Sequence, residues 1–137
     1  MNKLTNKILI IEDQKDIRLE MNVYFKEAGY VVYPAKHFAN AIKILETKVP
    51  NLIIMEISMP GMDGFQFLEF FKKLPNASMI PIIFLSAKID SNILKKIISY
   101  NIDNYLKKPF EINELNKIVI ELLKDHKTNN KIFSPTK

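Results

Sequence analysis

Polar residues stand where hydrophobic runs stop. Ile8-Leu9-Ile10-Ile11 ends in Glu12-Asp13, Leu52-Ile53-Ile54-Met55 in Glu56, Ile82-Ile83-Phe84-Leu85 in Ser86, and Tyr105-Leu106 in Lys107-Lys108-Pro109. If the runs are buried parallel strands, these groups gather at the carboxyl edge of one sheet, where open α/β sheets form ligand sites. Three carboxylates, a hydroxyl and an ammonium then share one pocket. Hard oxygen donors beside an ammonium suit a divalent cation and a phosphoryl-like group.

The elements that must position them are readable from periodicity. Residues 7–12 read as a strand and 14–28 as a helix, with Ile17, Met21, Tyr24, Phe25 and Ala28 on one face and Gly29 as its stop. Tyr30–Tyr33 reads as the second strand, and Phe38, Ala41, Ile42 and Leu45 mark the second helix. The third strand spans 51–56, the loop Ser58–Gly64 follows, and a third helix runs from 64 to 74, before Pro75. Strand four at 81–86, helix four at 90–100, strand five at 103–107 and helix five at 112–125 complete the series. Nearly all-apolar strands that alternate with helices specify a doubly wound parallel sheet covered on both faces. One domain over 1–126 and a polar tail or linker stub over 127–137 is the expected organisation.

Composition excludes several function classes. With 47% hydrophobic and 26% charged residues the chain is expected to fold as one soluble domain. No apolar stretch approaches the ~20 residues of a membrane span, and Met1–Lys7 lacks the apolar segment of a secretory signal. The absence of cysteine removes disulfides and thiolate metal sites. A cytoplasmic protein is the expectation, with no membrane partner. The net charge of +5 invites a nucleic-acid reading, but Arg18 is the only arginine and the lysines are dispersed. Direct nucleic-acid binding is therefore set aside.

Several motifs coincide in order: Glu12-Asp13 after strand one, Met59-Pro60-Gly61-Met62-Asp63-Gly64, Ser86-Ala87-Lys88 after strand four, and Lys108-Pro109-Phe110 after strand five. Together they make the chain resemble a response-regulator receiver (CheY-like) domain over roughly residues 5–126. The resemblance implies a flavodoxin-like three-layer sandwich: a five-stranded parallel sheet in order 2-1-3-4-5, flanked by five helices. It implies that Glu12 and Asp13 hold Mg²⁺ with the backbone carbonyl of Ser58 and the residue at position 56. It further implies that Ser86 bonds a phosphoryl group, that Ala87 leaves room for it, and that Lys108 pairs with its oxygens. Tyr105 matches an aromatic whose rotation reports the state of the site, and the Lys108–Pro109 bond one that is cis.

The departure lies at the centre, where the family's phospho-accepting aspartate is replaced by Glu56. Glutamate reaches one carbon–carbon bond, about 1.5 Å, further, into the volume a phosphoryl group needs. In-line transfer is sensitive to misplacement on that scale. The same reach lets Glu56 engage Lys108 and Ser86 and imitate part of the charge of a phosphoryl group. Such a mimic would draw Tyr105 inward. The leading reading is a two-component or phosphorelay signalling module with no turnover of its own, a pseudo-receiver that binds Mg²⁺ weakly or not at all. Its partners would be a histidine kinase, a phosphotransfer protein or a downstream effector, reached through the fourth helix, fifth strand and fifth helix. It would be a monomer or weak homodimer. Two alternatives stand beside it: a conventional phospho-switch in which Glu56 was introduced in place of aspartate, and the receiver piece of a DNA-binding regulator.

Plainer roles also fit individual residues. Asp13 suits an N-cap, Ser86 a turn, Lys108 a solvated cation, Tyr105 strand packing, and Met59 and Met62 loop packing. His37 and His126 read as surface residues. The phenylalanines at 65, 67, 70 and 71 read as one wide buried face, with an apolar partner patch as the alternative.

Overall fold

A computed structural model describes residues 6–133, with side chains to residue 124. Five strands form a parallel sheet: β1 (Lys7–Ile11), β2 (Val31–Ala35), β3 (Leu52–Glu56), β6 (Ile82–Ser86) and β7 (Asn104–Lys107), in spatial order β2-β1-β3-β6-β7. Counted along the chain this is the order 2-1-3-4-5. The helices are α1 (Lys15–Glu27), α2 (Phe38–Leu45), α3 (Gly64–Phe71), α4 (Ser91–Ser99) and α5 (Ile112–Phe133). Between β3 and α3, the short strands β4 (Ser58–Met59) and β5 (Met62–Asp63) pair antiparallel.

The period-two alternation of each strand separates the core into two layers. Leu9, Ile11, Ile53, Met55 and Phe84 pack with Ala41, Phe67 and Ile97, on the side of α2, α3 and α4. Ile8, Ile10, Ile54, Ile83 and Leu85 pack with Met21, Phe25, Leu115 and Val119, on the side of α1 and α5. Every residue of β3 is buried, as a strand covered on both faces requires. No described helix is long and apolar enough to cross a membrane.

Several boundaries move from their sequence-based positions. The second strand runs two residues further, through Pro34; β2 is the sheet edge, so the N–H that proline lacks faces no partner strand. The third helix stops at Phe71 rather than 74, because Lys73 N and Leu74 N close tight turns onto Phe70 O and Phe71 O ahead of Pro75, whose predecessor disfavours helix. The loop Ser58–Gly64 carries the β4–β5 hairpin, with Gly61 at φ +90°. The fifth helix continues past 125 to Phe133, overlapping most of the expected tail; no Gly or Pro interrupts it before Pro135. Residues 134–137 of that tail lie outside the described residues.

Candidate functional site

Parallel register brings the strand ends into line. Ile11 stands opposite Met55, Met55 opposite Phe84, and Ser86 opposite Lys107. Backbone bonds just beyond the ends fix the edge: Glu12 N donates to Ala35 O at 3.0 Å, Ile57 N to Leu85 O at 2.9 Å and Lys108 N to Ser86 O at 2.9 Å. The Lys108–Pro109 peptide is cis, as the resemblance implied. Glu12 and Glu56, at 0% and 4% exposure, are thereby carboxylates drawn almost wholly out of water.

Both point at one cation. Lys108 Nζ lies 2.5 Å from Glu56 Oε1, 2.9 Å from Glu12 Oε1 and 3.0 Å from Glu12 Oε2. The ammonium also donates to Gln14 Oε1 at 2.8 Å. Glu56 Oε2 accepts Ser58 N at 3.0 Å, and Glu12 Oε2 accepts Gln14 N at 3.1 Å. Burial raises the Glu12 carboxyl above the ordinary range, and its bonds to Lys108 and Gln14 oppose that shift only in part. For Lys108 burial favours the neutral amine, but hydrogen bonds to Glu56 and Glu12 overcome it and raise the ammonium. Two carboxylates clamp one lysine, and Glu12 Oε1, close to the ammonium, receives no directed hydrogen bond.

Other expected contacts are redistributed. Glu56 does not bond Ser86: its oxygens serve Lys108 and Ser58, while the Ser86 hydroxyl is turned to Lys88 O. Ser86 is buried, and its hydroxyl donates to Lys88 O at 2.9 Å and accepts Lys88 N at 3.2 Å, a turn contact. Tyr105 is 38% exposed, not drawn inward; it sits on the edge strand β7, and no bond between Glu56 and Ser86 pulls the neighbouring loop toward the site. Ala87, Ser58 and Asp13 are exposed. Asp13 does not cap α1 either: the N-cap is Gln14, without a side-chain cap.

The metal set Glu12, Asp13, Glu56 and Ser58 is chemically suited to a hard cation, yet the geometry does not assemble it. Among the described residues no group of three or more His, Cys, Asp or Glu is placed to hold a metal ion. Glu12 and Glu56 converge on an ammonium instead. As arranged, these donors do not fit Mg²⁺.

Two contributors were not singled out from the sequence. Gln14 adds an amide oxygen to Lys108, and Arg18 Nη1 donates to Glu12 O at 2.9 Å and Asp13 O at 3.4 Å, bracing the loop after β1. Their nearness to the acidic pair was the available signal. Met59 is buried and Met62 packs against the same core layer. Phe65, Phe67 and Phe71 are buried and Phe70 partly so, which makes α3 a wide core face. His37 is exposed; the side chain of His126 lies outside the described residues.

Comparison with known proteins agrees with this fold. Residues 8–120 match the model of the response regulator receiver domain. Sporulation initiation phosphotransferase F of Bacillus subtilis is 28% identical over 120 residues, covering 88% of this chain and 95% of that protein. The KDP operon transcriptional regulatory protein KdpE of Escherichia coli is 32% identical, covering 90% of this chain but 53% of its own length. Among solved structures, a Francisella response regulator receiver domain superposes with a TM-score of 0.78 at 29% identity, covering 88% of this chain and 98% of that one.

Proposed function

This chain belongs to the response regulator receiver domain family of two-component signalling, and from that premise we propose that it is a pseudo-receiver. It presents the surface of α4, β7 and α5 to a protein partner without taking a phosphoryl group at Glu56, and it turns over no substrate. A histidine kinase, phosphotransfer protein or downstream effector is the partner class, consistent with a kinase and a phosphotransferase among its relatives by name. A cytoplasmic, monomeric or weakly dimeric module suits that role.

One observation carries the reading: the Glu56 carboxylate holds the Lys108 ammonium at 2.5 Å. In a phospho-accepting site that cation neutralises the equatorial oxygens of the incoming group. Here it has a resident anion, and Glu12 shares it. The extra methylene of Glu56 also advances the acceptor oxygen out of line. The exposed Tyr105 and the turn-bonded Ser86 favour a module resting in one state over a constitutively switched mimic. Both carboxylates are committed to the ammonium, which supports Mg²⁺ binding that is weak or absent.

Exposure to acetyl phosphate with Mg²⁺, followed by intact mass, tests this. The mass stays unchanged. A base-labile adduct of about 80 Da, one phosphoryl group, mapped to Glu56, overturns the proposal.

A further inference from the structure

A second concavity opens beside the carboxylate edge, between α1, the end of β2 and α2. It is a shallow, solvent-open depression of about 370 Å³, bordered by Arg18, Pro34, Lys36, Asn40, Lys43 and Ile44. Half of that wall is cationic, and the three charges come from three separate elements. Lys36 follows Ala35, whose carbonyl accepts Glu12 N, so the pocket is tied to the same backbone edge as the Lys108 site.

The two sites treat their cations in opposite ways. Lys108 is matched by two carboxylates. Among the described residues, Arg18, Lys36 and Lys43 enter no ion pair. Arg18 is braced through Nη1 on the carbonyls of Glu12 and Asp13, which holds the chain's only arginine at the pocket wall. Its guanidinium keeps further N–H donors in a fixed fork, the geometry that pairs with planar or tetrahedral oxyanions. Asn40 adds an amide to the same wall. Three unpaired like charges around one hollow repel one another, and a multiply charged anion relieves all three at once.

We propose that this pocket binds a phosphate-type oxyanion carrying at least two negative charges, such as a diphosphate, free or as part of a nucleotide. It does so independently of Glu56.

The test titrates the full chain with inorganic pyrophosphate and, separately, with adenosine diphosphate at low salt, by calorimetry and amide chemical shifts. The expected result is saturable one-to-one binding with shifts centred on Arg18, Lys36 and Lys43. Lys43→Gln, at an exposed position, weakens it roughly fivefold, as does Arg18→Gln, the range expected of a partly screened charge-assisted bond. Lys73→Gln, equal in net charge but far along the chain on the α3 side, leaves affinity unchanged. Tighter binding of the nucleotide identifies a nucleotide as the source, and equal binding a free diphosphate. The proposal is overturned by non-saturable binding, by equal weakening in all three variants, or by shifts that gather at Lys108. Lys43→Gln keeps the test decisive if Arg18→Gln disturbs the loop it braces.

Discussion

Two charged clusters in this molecule use the same chemistry in different surroundings. At the sheet edge, Lys108 sits between Glu12 and Glu56 with side-chain exposures of 9%, 0% and 6%. Between α3 and α4, Glu69 accepts Tyr100 Oη at 2.5 Å and pairs with Lys72 at 3.0 Å, with side chains of that pair 51% and 59% exposed. Tyr100 also stacks on Phe65 at 5.5 Å. Distances alone make the clusters equals. Water separates them: in the exposed cluster a broken bond is replaced by solvent, while in the buried one each missing partner leaves a charge stranded. The buried cluster therefore governs stability and chemistry, and the exposed one adjusts how α4 rests on α3.

That contrast is sharpest for Lys108→Met. Removing the ammonium leaves two carboxylates facing each other without a cation, and the variant loses about 3 kcal/mol, read as a lower urea midpoint. Its pH response also steepens, in the direction Glu12 already sets. Glu12, already raised by burial, loses the lysine that held it down. A carboxyl raised by folding lends stability below its unfolded value and loses it as pH rises through the folded one. The variant accordingly gains stability as pH falls from 7 toward 5.

In the unmodified chain the Lys108 contribution has its own window. A raised lysine stabilises fully below its unfolded value of about 10.4 and loses that contribution as pH rises through the higher folded value. Lys108→Met flattens this alkaline limb in a pH series of denaturant melts. Glu12→Gln is milder, about 1 kcal/mol, because Lys108 keeps Glu56 and Gln14.

Glu69→Gln has the smallest effect. Glu69 is held below the ordinary carboxylate range by the Tyr100 and Lys72 hydrogen bonds, so its contribution is present at neutral pH and fades as pH falls. Its side chain is about half in water, and the melting point stays within scatter while amide exchange at the end of α4 quickens. A melting loss as large as that of Lys108→Met would erase the distinction between the clusters.

Much of this was legible in the residues. Apolar runs with period-3.6 segments between them gave the alternation, and the polar residue after each run gave Glu12, Glu56, Ser86 and Lys108 a common edge. What escaped was orientation. Whether Glu56 turns to Lys108, Ser86 or both depends on which hydrogen bonds its two oxygens find, and Ser58 N takes one of them. Gln14 joined the cluster because its amide reaches Lys108 from the N-cap of α1. The length of α5 escaped because polar Asn and Lys read as tail, although nothing there breaks a helix.

The central claim is that one methylene at position 56 fills the phosphoryl volume and occupies Lys108. The most direct measurement treats the unmodified chain and Glu56→Asp side by side with acetyl phosphate and Mg²⁺ and compares intact masses. The aspartate variant gains one labile adduct of about 80 Da, and the unmodified chain gains none. Adducts on both chains, or on neither, would contradict the claim.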